Sequence, residues 1–170
     1  MRSRVSIRKP TEDDWQALLV LHQASQEFHF PWAFPALTEE GCKAYIRRCQ
    51  NDDFEGLLIC HRESDRIVGV ANLSQIFYKA FQNAYLGYYG SAEFAGQGLM
   101  TEGLRLVIDY AFFNLGLHRL EANVQPENQR SIALIQRLGF TEEGFSRRYL
   151  YINGAWRDHE RWALTVEDWV

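Results

Sequence analysis

Two short stretches of the chain combine residue types and spacings that chemistry can use. The first is Gly96-Gln97-Gly98-Leu99-Met100-Thr101-Glu102, which follows the strand-like run Tyr85-Leu86-Gly87-Tyr88-Tyr89. Its pattern is strand, glycine-bearing turn, helix start. The first turn of a helix carries four backbone N–H groups with no internal partner, and the helix dipole adds partial positive charge there. Such a terminus can hold a phosphate, and glycines let the backbone approach the anion closely. Thr101 adds a hydroxyl. Taken alone, these residues specify a helix start able to hold an anion, and a plain turn accounts for them as well. No Gly-Lys-Ser/Thr follows, which disfavours a nucleotide P-loop. The third glycine of a dinucleotide fingerprint is absent too.

The second stretch is Asn123-Val124-Gln125-Pro126-Glu127-Asn128-Gln129-Arg130-Ser131. Here a strand ends, Pro126 turns the chain, and a helix begins near Asn128. Asn128 suits an N-cap. Ser131 places a hydroxyl in the first turn, aimed either at a ligand or back at its own backbone. Other chemistries find little support. Cys42, Cys49 and Cys60 make an odd count without CxxC spacing, and they read as reduced thiols buried or half-buried as small side chains. The histidines are scattered without ligand spacing, so no metal is expected.

The elements that must position these residues alternate between strand and helix, which predicts an α/β domain around one mixed sheet. Val5 to Arg8 reads as a strand, and Thr11 as an N-cap before Glu12, Asp13 and Asp14. Leu18, Leu21 and Ala24 follow at helical spacing. Pro31 and Pro35 exclude an ordinary helix from Phe28 to Pro35. A helix from Thr38-Glu39-Glu40 to about Gln50 comes next. A hairpin then joins Leu57–His61 to Arg66–Ser74 through Ser64-Asp65, and Ala84 to Tyr89 is a further strand. Leu99 to Asn114 is expected to be helical, Arg119 to Val124 a half-buried strand, and Ser131 to Leu138 a helix stopped by Gly139. From Phe140 onward the chain reads as a hairpin turning at Asn153-Gly154, with the last strand ending the chain.

The sequence has 170 residues, 46% of them hydrophobic and 14% aromatic, which predicts a single compact domain over 1–170. A net charge of −4 argues against general nucleic-acid binding, which needs a basic face. No apolar run approaches membrane-spanning length, and no apolar signal-peptide core follows the basic start, so a cytoplasmic protein without membrane association is expected.

In order and spacing, the two stretches resemble the GNAT acetyltransferase superfamily, whose acyl-CoA signature is Gln/Arg-x-x-Gly-x-Gly/Ala. Gly96 and Gly98 match its two small positions, and Glu93 stands where the leading basic or amide residue is usual. The run Asn128, Ser131, Leu138-Gly139-Phe140 and Glu143-Gly144 is similar to the RimJ/RimL branch, which acetylates protein N-termini. The likeness extends through Val68-Gly69-Val70-Ala71-Asn72, Tyr85-Leu86-Gly87-Tyr88, Gly98-Leu99-Met100 and Trp156-Arg157-Asp158-His159.

This resemblance implies a strongly twisted mixed sheet whose two central parallel strands, Ala84–Tyr89 and Arg119–Val124, splay apart around acetyl-CoA. It implies cofactor contacts from Tyr88, Phe94, Gly96, Gln97, Gly98, Leu99, Met100, Thr101, Asn128 and Ser131, and acceptor contacts from Trp32 and Tyr85. The expected reaction is direct attack of an amine on the thioester. The acceptor it implies is a protein N-terminal α-amine of the ribosomal-protein-alanine type. The tyrosine that many members place near the leaving thiolate aligns with Ile135, so Ser131 is the implied acid. The glutamate that serves some members as base aligns with Leu150. A small amine such as a polyamine, an amino acid or an antibiotic is the alternative acceptor, and a non-catalytic acyl-CoA-binding regulator is the alternative to an enzyme.

Overall fold

The computed structural model describes residues 3–169. The strands are β1 (Val5–Arg8), β2 (Phe54–His61), β3 (Ile67–Phe77), β4 (Asn83–Gly90), β5 (Arg119–Val124), β6 (Thr141–Ile152) and β7 (Ala155–Thr165). The helices are α1 (Trp15–Ala24), α2 (Gln26–His29), α3 (Glu39–Arg48), α4 (Leu99–Asp109), α5 (Gln129–Arg137) and α6 (Val166–Trp169). The strands form one seven-stranded sheet in the order β1-β2-β3-β4-β5-β7-β6. Neighbours are antiparallel except β4 and β5, which are parallel.

Each sheet face is covered differently, and the alternation of side chains along each strand explains how. Leu57 and Ile59 of β2, Ala84 and Leu86 of β4, and Leu120, Ala122 and Val124 of β5 join Leu104, Val107 and Ile108 of α4 and Ile132 and Ile135 of α5 in one core. On the other face, Leu58, Cys60, Ile67 and Val70 pack with Leu18 and Leu21 of α1 and Cys42 and Ile46 of α3. A Cβ at Gly103 of α4 would collide with the Ile59 side chain, so this glycine is what lets α4 sit so close to the sheet.

Several expectations are revised by the fold. The stretch from Phe28 to Pro35 does contain helix: α2 takes Phe28 and His29 before the chain turns extended at Phe30, where ψ is 136°. Proline disfavours helix at the residue before it, and Phe30 precedes Pro31, so the break falls there and not earlier. The helix from Leu99 loses its α geometry at Tyr110–Asn114, a wider π turn in which Leu115 N–H donates to Tyr110 O at 3.0 Å. The last strand does not end the chain, because α6 follows it. Thr11 does open a helical segment, a 3₁₀ turn over Glu12–Asp14, where its backbone N–H donates to Asp14 Oδ2 at 2.6 Å. All three cysteines are buried, and burial pushes each thiol above its ordinary pKa, which opposes a nucleophilic role.

Candidate active site

The parallel ladder between β4 and β5 is short. It pairs Asn83 with Arg119, Ala84 with Leu120 and Tyr85 with Glu121, and no pair follows. Beyond Tyr85 and Glu121 the two strands part. β4 stays on β3 throughout, with Tyr89 opposite Val70 and Gly90 opposite Gly69. Ser91 N–H donates to Val68 O at 2.7 Å. Backbone groups alternate in direction along an antiparallel pair, so Tyr89 and Gly87 also face β3 while Tyr88 and Gly90 face away from it. Tyr88 and Gly90 thus turn their N–H and C=O groups into the gap.

That gap belongs to a cleft of about 490 Å³. One wall is the end of β4 and the loop into α4: Tyr88, Gly90, Phe94, Gly96, Gly98, Leu99, Met100 and Thr101. The other is α5, through Asn128, Arg130, Ser131, Leu134 and Arg137, and α2 with the following turn brings Phe28, His29 and Trp32 to the rim. The residues singled out in the sequence therefore meet in one place, with two exceptions. Gln97 is exposed and does not line the cleft; its carbonyl accepts from the Arg4 guanidinium at 3.0 Å. Tyr85 points to the opposite face of the sheet, because its neighbours Ala84 and Leu86 face the α4–α5 core, and it pairs there with Glu121.

The loop has the backbone that its glycines predict. Gly96 and Gly98 both have φ of 76°, a left-handed conformation that favours glycine, and no atom crowds the Cβ position of Gly96. Gly98 is the N-cap of α4, and the first helical bond runs from Glu102 N–H to Gly98 O at 3.2 Å. The N–H groups of Leu99, Met100 and Thr101 therefore have no helical partner. Glu93 forms an ion pair with Arg66, and both side chains are more than half exposed.

Across the cleft, Asn128 caps α5 by accepting from Ser131 N–H at 3.2 Å. Capping does not exhaust Ser131, whose Oγ lies 2.6 Å from the Tyr88 hydroxyl. This contact bridges the two walls. Burial pushes the Tyr88 phenol up to about 12, so it stays a donor at neutral pH. Ile135, one turn along α5, is fully buried in the core and contributes nothing polar to the cleft. Leu150 is on the outer hairpin opposite Arg157, and Asp158 accepts from Arg148 N–H at 2.8 Å. His29 donates from Nε2 to Gly90 O at 2.7 Å, which leaves its buried Nδ1 without a partner among the described residues. Chemically, the cleft offers free backbone donors at a helix terminus, backbone donors in a strand gap and a hydroxyl pair.

Phe28, His29, Arg130 and Arg137 were not legible as site residues. Their side chains reach the cleft through the packing of α2 and α5, and no motif marks them; Arg130 lies 4.9 Å from the Phe28 ring centroid. Among the described residues, no group of His, Cys, Asp and Glu is placed to hold a metal, and no helix is long and apolar enough to cross a membrane.

Known proteins share this fold. A family model of the acetyltransferase (GNAT) domain matches residues 4–141. A probable N-acetyltransferase, YjcK of Bacillus subtilis, is 40% identical over 124 residues, 73% of this chain and 68% of that one. The [ribosomal protein uS5]-alanine N-acetyltransferase of Escherichia coli is 44% identical over 108 residues, 64% of this chain and only 56% of its own length. The crystal structure of ribosomal-protein-S5-alanine acetyltransferase from Vibrio fischeri superposes with a TM-score of 0.88 at 26% identity, covering 100% of this chain and 97% of that one. Mycobacterium smegmatis RimJ in complex with CoA-disulfide gives 0.87 at 29% identity over 96% of this chain and 82% of that one. The spermidine N(1)-acetyltransferase of E. coli is 36% identical over 74 residues, 44% of this chain and 40% of its own length. With the forked sheet, the glycine-capped helix and a family match over most of its length, the chain belongs to the GNAT family and is an acetyl-CoA-dependent N-acetyltransferase.

Proposed function

We propose that the cleft binds acetyl-CoA and that the enzyme transfers its acetyl group to the N-terminal α-amine of a protein, of the ribosomal-protein-alanine type. The observation that carries the site assignment is the Tyr88–Ser131 hydroxyl contact of 2.6 Å across the strand gap. The unpartnered N–H groups of Leu99, Met100 and Thr101, with the φ-positive glycines before them, suit the pyrophosphate. Arg66 neutralises Glu93, and Arg130 and Arg137 supply positive charge from the opposite wall. Phe94 and Met100 give the cleft apolar surface, and the Asn128 side chain borders it as the α5 cap.

In this reading Tyr88 and Gly90 present backbone donors to the pantetheine arm and the thioester carbonyl. A backbone N–H aimed at the developing oxyanion stabilises the tetrahedral state. Ser131, hydrogen-bonded to Tyr88, donates to the departing sulfur. The acceptor amine attacks directly and supplies the proton that the thiolate finally carries. Trp32 at the rim contacts the acceptor chain, and an acceptor on a ribosomal protein places the enzyme in the cytoplasm. The 44% identity to the uS5-alanine enzyme and the structural likeness to RimJ support the peptide acceptor.

A small amine is the second reading, favoured by the shorter likeness to a spermidine acetyltransferase. Thiol release from acetyl-CoA, measured with short peptides beginning in alanine and with free polyamines, separates the two. Higher kcat/KM on the peptides is expected, and faster turnover of a polyamine would refute the peptide acceptor.

A further inference from the structure

We propose that Glu121, paired with Tyr85 at the last rung of the β4–β5 ladder, is the seat for the acceptor's ammonium group, on the sheet face opposite α5. This deepens the acetyl-transfer reading and rests on it. The position is dictated by the fork. Tyr85 and Glu121 form the last rung of the parallel ladder, so they mark the point where the gap opens. Leu120, Ala122 and Val124 of β5 face the α4–α5 core, and alternation sends Glu121 the other way. Ala84 and Leu86 likewise face that core, which sends Tyr85 to the same side as Glu121. Neighbouring strands lie about 4.8 Å apart, so the two side chains are direct neighbours.

Tyr149 arrives from β6 by a local irregularity. The β6–β7 register shifts between Ser146 and Leu150, and Arg148 has φ of 48°. Bulges of this kind re-aim a side chain, and the Tyr85 phenol, pushed up mainly by burial, is raised further by the Glu121 charge and by Tyr149. The Tyr149 ring packs edge-on to His159, 6.2 Å between centroids, which holds it in place.

Glu121 keeps binding capacity despite an ionic partner. Arg119 approaches only Oε1, at 2.9 Å, and the same guanidinium also pairs with Glu143. Arg161 adds positive charge beside Glu143. The Glu121 side chain is 22% exposed, so solvent and ligand reach it. A carboxylate offers about four lone-pair directions, and Arg119 uses one oxygen of the two. The phenol oxygens add acceptors for the remaining N–H groups of a primary ammonium.

This placement gives the reaction two sides. Ser131 and Tyr88 attend the leaving sulfur from the α5 side. The amine comes from the Glu121 side and attacks the carbonyl held between them. The ammonium gives one proton to the carboxylate, which passes it to water. The neutral nitrogen then forms the C–N bond as the C–S bond breaks, and its second proton ends on the thiolate. The products are the amide, the free thiol and one released proton.

The test is steady-state kinetics with an N-terminal alanine tetrapeptide on Glu121→Gln, Tyr85→Phe and Tyr149→Phe, alongside calorimetric binding of desulfo-CoA. Loss of a charge-assisted hydrogen bond predicts a rise in peptide KM of roughly tenfold or more in Glu121→Gln, with smaller rises in the phenylalanine variants. Desulfo-CoA affinity and the KM for acetyl-CoA are expected to stay at wild-type values. Wild-type peptide KM in Glu121→Gln overturns the assignment. If that variant does not fold, wild-type peptide KM in both phenylalanine variants overturns it instead. Failure of the wild-type enzyme to bind desulfo-CoA overturns the cofactor reading itself, which keeps the two failures apart.

Discussion

Replacing Tyr88 by phenylalanine removes one oxygen and leaves the ring that packs against the core. The hydroxyl it removes is 2.6 Å from Ser131 Oγ and, among the described residues, is otherwise within reach only of Ser131 O, at 3.4 Å. A neutral hydrogen bond of this kind contributes about 1 kcal/mol to stability, so the variant is expected to fold with a slightly lower Tm. The larger effect is on rate. In the proposed reading Ser131, bonded to Tyr88, is the proton donor to the sulfur, and a positioned proton donor contributes ~10²-fold or more to a reaction that needs it. Tyr88→Phe and Ser131→Ala are each expected to lower kcat about 10- to 100-fold, with desulfo-CoA affinity kept. Groups that act as a unit are not additive, so the double variant should be no slower than the slower single one. The assay is thiol release at saturating acetyl-CoA and peptide, as a double-mutant cycle. Losses that multiply, or wild-type turnover in Tyr88→Phe, would refute the joint role.

Two further outcomes follow from buried groups. His22, His29 and His159 are buried, and burial, the largest cause, depresses each pKa below the usual histidine value. A folded pKa below the unfolded value of about 6.5 gives stability that is present above that pH and lost as pH falls through the folded values. Melting temperature is therefore expected to drop between pH 7 and pH 5, and His29→Gln should flatten that slope; a Tm independent of pH in this window would contradict it. Ile135→Tyr restores the residue common elsewhere in the family at a fully buried position. Overpacking of that kind costs about 1–3 kcal/mol. Denaturant unfolding should show the loss, with no gain in kcat; a faster enzyme would mean the new hydroxyl reaches the cleft.

What the sequence reveals about this molecule follows from how local each feature is. Gly96, Gly98, Asn128 and Ser131 are legible because their roles are set by backbone conformation within a few residues: a left-handed φ, a cap, a first turn. The strands at both sides of the fork are legible because apolar residues alternate along them. The Tyr88–Ser131 contact spans 43 positions in the chain, and nothing in either stretch announces it. Tyr85 is the instructive case. Its strand is legible, yet the face it occupies depends on which neighbours are core, and it lies away from the cleft beside Glu121. The π turn at Tyr110–Asn114 and the helical Phe28 and His29 were hidden for a related reason, since hydrogen bonding and packing outside the local pattern decide them.

The early end of the β4–β5 ladder also bears on how this sheet coexists with other chains. A strand edge with unused N–H and C=O groups is a template for pairing, and proteins usually blunt theirs with charge, proline or a covering helix. Here such an edge lies inside one molecule, at the Tyr88 N–H and C=O and the Gly90 N–H, while Gly90 O accepts from His29; it is walled by α5 on one side and the α2 turn on the other. A molecule that extends along this edge acts as a temporary strand, and whatever binds only the folded form adds to its stability in proportion to the logarithm of occupancy. In the proposed reading the cofactor is in that sense a removable piece of the sheet, and the enzyme keeps this open backbone edge inside its own cleft.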